Sequence, residues 1–338
     1  MQAHYLAAIV FLWLSLATGQ NPGKQASAPV GLALPHYQAD FTPVIANGLH
    51  GISWDKGHLV SYGAGLMKEP VTVYDKTGKW IFEHHLSFEN AIQVYAQDAA
   101  VTSSGTAVVA ASAVTADGAA ADLLVQVGKD GIRHTIRTSP FYALKVCATD
   151  EGTVWAFGRE MTADRRGEPR THYPMLREYS FEKGELRSEL DRASFRVPQG
   201  IPLHGARGEF QMRCGSGKVV IVSGVTNELM EYDFSTSKLS RWPIAPLQDG
   251  FYINGAALTD SGKVYVSAFL PGQGAQTAML RLQVNSSGTT EWTPLSIVPS
   301  GGKFFILLGS DGEELVYSRG RAAPTLFWSK ASEAEVTK

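Results

Sequence analysis

Cysteine is nearly absent from this 338-residue chain: two residues, Cys147 and Cys214, in separate segments and without a C-x-x-C spacing. That pattern excludes a zinc knuckle or an iron–sulfur centre built on thiolates. Net charge is almost absent as well. Thirty Lys and Arg face 32 Asp and Glu, a formal charge of −2, and no basic tract occurs. A general nucleic-acid binder is excluded by that balance. Long apolar stripes at the helical spacing of 3.6 residues are hard to find, and no second long apolar run follows the N-terminal one. The chain therefore reads as poor in amphipathic helices and without a membrane span after its first twenty residues. A Gly-x-Ser-x-Gly nucleophile elbow is also missing.

What is present is apolar and β-prone. A hydrophobic content of 44% is too high for disorder. Thirty-four glycines, about one residue in ten, suit many tight turns, and β-branched and aromatic residues are spread evenly. Residues 6–17, LAAIVFLWLSLA, are too short to span a bilayer comfortably and fit a signal h-region. Ala17 and Gly19 are the small residues of a cleavage site before Gln20, and 20–29 form a polar linker. The expectation is a signal peptide over 1–19, one domain over 30–330 and a tail over 331–338, secreted or periplasmic. The n-region has no Lys or Arg, so an uncleaved anchor is the competing reading.

One pattern recurs six times: an apolar segment, a polar turn ending in Gly, then a strongly β-prone segment. The copies are 51–63, 99–111, 146–158, 212–224, 256–268 and 306–318. Their glycines, Gly57, Gly105, Gly152, Gly217, Gly262 and Gly312, are spaced by 48, 47, 65, 45 and 50 residues. Repetition at this period marks stacked supersecondary units. In the first five units a third β-prone run and a second turn follow, as in VTVYDKTGKW (71–80) and LRLQVNSSGTT (280–290). Each unit reads as four antiparallel strands, A to D. One such sheet cannot bury both faces alone, so six must stack radially. The expected fold is all-β, a six-bladed β-propeller. The sixth unit lacks a fourth strand, which 30–44 can supply, closing the ring. An open ring, or seven blades with one degenerate, is the competing arrangement.

The units TDSGKVYVSAF and TDEGTVWAFG resemble the exported six-bladed propellers of the NHL-repeat and TolB-like type. The resemblance covers nearly the whole chain after residue 29, and it implies a blade rather than a chemistry. In such a ring the A strands line a central channel. D–A and B–C loops share the binding face; A–B and C–D turns share the other.

Two insertions cause the 65-residue spacing: the B–C loop 160–174 and the D–A connection 197–208. They carry Arg165, Arg166, Arg170, His172, His204 and Arg207, a cationic group on a near-neutral protein, suited to a carboxylate, a phosphate or an acidic sugar. A solvated loop with internal ion pairs is the plain alternative. A second set, His50, Tyr95, Lys145, Gln211, Tyr252, Asn254 and Lys303, falls near the starts of the A strands, at the channel mouth. Asp55, Asp150, Asp260 and Asp311 in the A–B turns read as turn formers rather than metal ligands. Cys147 and Cys214 lie on neighbouring A strands with shared parity, so a disulfide and a pair of buried thiols both remain open.

Three function classes follow. The first is a binding module for a protein, glycan or anionic small molecule, with no cofactor. The second is a metal-dependent lactone or ester hydrolase, as the gluconolactonase-like propellers imply, with Ca²⁺ held by Asn254 together with Glu209 or Asp249. His50 stands where that group would have an early glutamate, and cations in the channel set disfavour Ca²⁺. The third is a structural propeller within an envelope assembly. The first fits the residues best.

Overall fold

The computed structural model describes residues 30–32, 36–40, 50–63, 70–149, 152–161, 175–189, 210–224, 226–245, 247, 251–270, 276–296, 305–319 and 325–333. Among these there is no helix, hence none long and apolar enough to cross a membrane. The strands form six antiparallel blades.

Blade 1 comprises His50–Asp55, His58–Gly63, Val71–Asp75 and Trp80–His84; blade 2, Ala91–Val101, Ala107–Thr115, Ala120–Gly128 and Gly131–Arg137. Blade 3 comprises Phe141–Ala148, Thr153–Glu160, Met175–Ser180 and Glu185–Glu189; blade 4, Phe210–Gly215, Lys218–Ser223, Glu228–Asp233 and Lys238–Pro243. Blade 5 comprises Tyr252–Leu258, Val264–Leu270, Gln276–Val284 and Thr290–Ser296; blade 6 contributes Phe305–Asp311, Glu314–Arg319 and Thr325–Glu333. In each blade the strands pair in sequence order, A to B to C to D. The A–B turns follow from their glycines: Gly57, Gly105, Gly217, Gly262 and Gly312 take φ between +61° and +81°, where a Cβ is disfavoured.

The N-terminal region forms two short strands with different neighbours. His36–Asp40 pairs antiparallel with Thr325–Glu333, on the outer side of blade 6. Val30–Leu32 lies between blades, parallel to Thr290–Ser296 and antiparallel to the end of Thr325–Glu333. Blades 5 and 6 thereby join in one nine-stranded sheet, so this seam is zipped by backbone hydrogen bonds as well as by side chains.

The core is six apolar layers, one in each seam. Val60, Val73 and Phe82 of blade 1 meet Val109 and Val125 of blade 2. Val108 and Leu124 turn the other way, onto Phe141 and Met175 of blade 3. Adjacent residues of one strand thus serve opposite seams, because side chains alternate across a sheet. This is why B strands such as AVVAASA (107–113) and VVIV (219–222) are continuously buried. A strand covered on both faces has no polar side to alternate with. Trp155 and Phe157 pack on Phe210 and Met212 between blades 3 and 4. Two further layers fill the 4–5 and 5–6 seams. The last layer joins blade 6 to blade 1: Trp54 and Trp328, both essentially fully buried, meet edge to face with centroids 5.1 Å apart. Each A strand contacts the next, and the blade 6 strand contacts that of blade 1, so the inner ring is closed.

Candidate functional site: the inner ring and its two faces

The inner strands run from the D–A face to the A–B face. Four carry a β-bulge near mid-length: between Ala96 and Asp98, Ala143 and Lys145, Ile253 and Gly255, and Leu307 and Gly309. A bulge re-aims the side chains that follow it. Two of the positions after the bulge are glycines because the strands there nearly touch. A Cβ on Gly255 would lie 2.1 Å from the Leu307 carbonyl oxygen, and one on Gly309 would lie 2.2 Å from that of Trp54. The other two are charged, and they begin a network across the axis.

Asp98 of blade 2 is nearly buried. Its Oδ1 accepts from the Tyr62 hydroxyl of blade 1 at 2.9 Å and from the Lys145 ammonium of blade 3 at 3.3 Å. Its Oδ2 accepts from the Val146 amide at 3.0 Å. Gly51 leaves room for this: a Cβ there would fall 2.1 Å from the Tyr62 ring. Arg213 of blade 4 reaches further. Its Nε donates to the Ala256 carbonyl of blade 5 at 3.0 Å, and its terminal nitrogens donate to the Met212 and Leu308 carbonyls, each at 2.7 Å, the latter in blade 6. Burial lowers its pKa, countered by Asp55, Asp98 and Tyr62, in that order. Asp55 of blade 1 accepts from the Val101 amide of blade 2 and the Lys56 amide. Burial pushes its carboxyl up to about 6, against the opposite pull of Lys56 and Arg213. Lys56 in turn donates to the Ala148 carbonyl of blade 3. All six blades contribute to this cluster.

The inner ring carries a covalent tie as well. Cys147 and Cys214, on the A strands of blades 3 and 4, form a disulfide with a Cα–Cα separation of 5.7 Å. Inner strands converge toward the axis, which brings neighbouring blades within bridging distance.

The expected site residues distribute as follows. Arg165, Arg166, Arg170, His172, His204, Arg207 and Lys303 lie outside the described residues, as do Glu209, Asp249, Asp150 and the N-terminal apolar run. His50 opens its strand opposite Gly63. Tyr95 donates from its hydroxyl to the Gln93 side chain. Tyr252 sits at the rim, 38% exposed and edge-on to Phe269. Gln211 is buried within the blade 4 strand. Asn254 occupies the blade 5 bulge; its Oδ1 accepts from Ser267 at 2.6 Å, and its Nδ2 is buried without a partner. Lys145 is committed to Asp98. Asp55, expected to be a turn former, also faces the axis. Asp98, Arg213 and Tyr62 are the residues that sequence reasoning missed. A charge inside an otherwise apolar inner strand, as in QVYAQDAAV or FQMRCG, was the available signal, since such a group is costly unless paired.

On the D–A face a cleft of about 300 Å³ opens at the seam of blades 1 and 2. Val71, Leu86, Ala91 and Ile92 give it apolar walls, and Gln93 and Ser87 give it polar groups. Ile92 is 59% exposed.

Glu209 and Asp249, two of the three residues named for a calcium ion, lie outside the described residues. Among the described residues no three His, Cys, Asp or Glu side chains converge. Asp98 is engaged by ammonium, hydroxyl and amide donors, and Asp55 by amide donors with the charges of Lys56 and Arg213 near it. A hard cation needs several oxygens together, and the Asp98 carboxylate is already paired with Lys145.

No protein-family model matches the chain, and no curated protein matches it. Solved structures do. A luciferin-regenerating enzyme is similar at 12% identity over 88% of this chain and 96% of its own, with a TM-score of 0.52. A gluconolactonase from Xanthomonas campestris shows 12% identity over 91% and 99%, TM-score 0.44. A DUF4221 member from Bacteroides vulgatus shows 10% identity over 92% and 99%, TM-score 0.47. At such identities the likeness concerns the fold alone: the chain is a six-bladed β-propeller.

Proposed function

We propose that the protein is an exported recognition module that seats its ligand on the D–A face. The observation that carries this reading is the cleft between blades 1 and 2, which opens on that face with apolar walls and few polar groups. Its size and lining are those of a site for a small ligand or a short segment of a larger one. The insertions 160–174 and 197–208, with Arg165, Arg166, Arg170, His172, His204 and Arg207, are expected on the same face from the sequence repeat alone. The ligand class this combination favours carries an acidic group and an apolar part. Export is supported by the signal-like run over 6–17 and by the disulfide, a bond that persists in oxidising compartments.

The test is a binding screen of acidic oligosaccharides and acidic peptides against neutral counterparts, followed by two variants. Ile92→Asp should weaken binding of the recovered ligand at least tenfold with little change in melting temperature, because Ile92 is exposed. Alanine at Arg165, Arg166 and Arg170 together should weaken acidic ligands and leave neutral ones unchanged. Affinity retained in both variants, or turnover of the ligand, overturns the reading.

A further inference from the structure

The seam between blades 4 and 5 is pinned at two places and stands apart between them. At the A–B turns, the Ser216 hydroxyl of blade 4 lies 2.8 and 2.9 Å from the Thr259 and Asp260 carbonyls of blade 5. Among the D strands, the Thr290 hydroxyl and the Trp292 indole of blade 5 donate to the Pro243 and Ala245 carbonyls, at 2.7 and 2.9 Å. A groove of about 410 Å³ lies between these ties. Lys218 and Gly262 stand beside the first tie; Trp242 and Val284 stand beside the second. Lys218 and Lys263 follow A–B turns, and Gln283 and Val284 lead into the C–D turn of blade 5. The groove therefore belongs to the side of the A–B and C–D turns, away from the cleft between blades 1 and 2.

We propose that this groove is a saccharide site, separate from the D–A face, that takes an acidic sugar unit carrying hydroxyls and one carboxylate. The lining matches that chemistry group by group. Leu229, Val264 and Leu282, which belong to the apolar layer of the seam, offer a surface for the C–H face of a sugar ring. Each sugar hydroxyl both donates and accepts, so its site must present donors and acceptors together. Glu231 gives Oε1 to Lys218, 3.1 Å away, and nothing among the described residues binds its Oε2. Among the described residues no hydrogen bond engages the Trp242 indole N–H, the Gln283 side-chain amide or the Lys263 ammonium. Donors and acceptors thus meet above an apolar surface.

Charge sets the class of sugar. Lys218, Lys263 and Arg281 bring three positive charges to the groove and Glu231 one negative charge. Lys218 is committed to Glu231, and its ammonium reaches across the seam to 3.8 Å from where a Cβ on Gly262 would lie. Lys263 is exposed and uncommitted, placed to pair with a ligand carboxylate by a charge-assisted hydrogen bond. The two ties hold the walls in position before a ligand arrives, which lowers the entropy cost of binding.

The probe is a hexuronic acid disaccharide, compared with the neutral hexose disaccharide of the same linkage. Each is titrated into the wild-type chain by NMR, reading the Trp242 indole N–H and the Gln283 side-chain amide. Both resonances should move together and saturate with the acidic probe. The neutral probe should bind about tenfold more weakly, the effect of losing one charge-assisted hydrogen bond. Lys263→Glu should weaken the acidic probe by about tenfold or more without lowering the melting temperature, because Lys263 is exposed. Still resonances at millimolar acidic probe, equal affinity for the two probes, or unchanged affinity in Lys263→Glu each overturn the proposal. The titration is repeated on Ile92→Asp, which alters the cleft between blades 1 and 2 and should leave both groove resonances responding as in wild type. Failure at the groove is thereby scored apart from failure of the recognition reading.

Discussion

Asp98→Asn tests the axial network most directly. The substitution keeps the side-chain volume and one acceptor but removes the charge. The Asp98 and Lys145 side chains are only 10% and 12% exposed, so solvent can do little to replace their pairing. Oδ1 accepts from Tyr62 and Lys145, while Oδ2 accepts from the Val146 amide. An amide in its place must turn its NH₂ toward one of these donors, leaving a donor against a donor. Breaking a buried pair on one side costs about 3–5 kcal/mol, and that is the expected loss for Asp98→Asn. Lys145→Met leaves the carboxylate with its hydroxyl and amide donors and should cost less, about 1–3 kcal/mol. The double variant should lose at least about 1 kcal/mol less than the sum, because neither charge is then left alone. Guanidinium chloride unfolding at pH 7.5, followed by tryptophan fluorescence, measures all four proteins. A loss below about 1 kcal/mol for Asp98→Asn, or strict additivity, would refute the view that this pair bears on ring stability.

Three further outcomes are expected. Trp54→Ala opens a cavity opposite Trp328 at the closing seam and should cost about 3–5 kcal/mol, read as a shift in unfolding midpoint. Gly309→Ala sets a methyl group against the Trp54 carbonyl and should cost more than about 3 kcal/mol. Gly288→Ala, at a φ of +74° with nothing within 4 Å, should cost only about 1 kcal/mol; equal losses for the two would sink the crowding argument. Cys147→Ser with Cys214→Ser releases a cross-link spanning 67 residues and should destabilise by about 2–4 kcal/mol. A thermal melt of the wild-type chain with reductant should reproduce that shift.

Much of the architecture was legible in the chain because a blade is a local object. Six turns ending in Gly at a period near 48 residues specify six hairpins, and a hairpin needs only its own residues. Continuous β-prone runs such as AVVAASA announce strands, and the structure adds that both their faces are covered. Neither kind of signal reaches the axis. Arg213 reads as one charge in FQMRCG, and its partners at Ala256 and Leu308 stand 43 and 95 residues away. Asp55 ends its strand at a tight turn and reads locally as a turn former, whereas its neighbours Val101 and Arg213 come from other blades.

The sequence by itself determined the all-β class, the number of blades, the place of the A–B turns and the near-neutral surface. These depend on side-chain alternation, on glycine's access to positive φ and on composition, all of which act over a few residues. Only the tertiary structure decided that Cys147 meets Cys214, that Asp98 gathers Tyr62 and Lys145, and that Asp55 faces Arg213. Those pairings arise where six inner strands converge on one axis. Burial and Coulomb energy there depend on distances between residues far apart in the chain, and no local pattern encodes such distances.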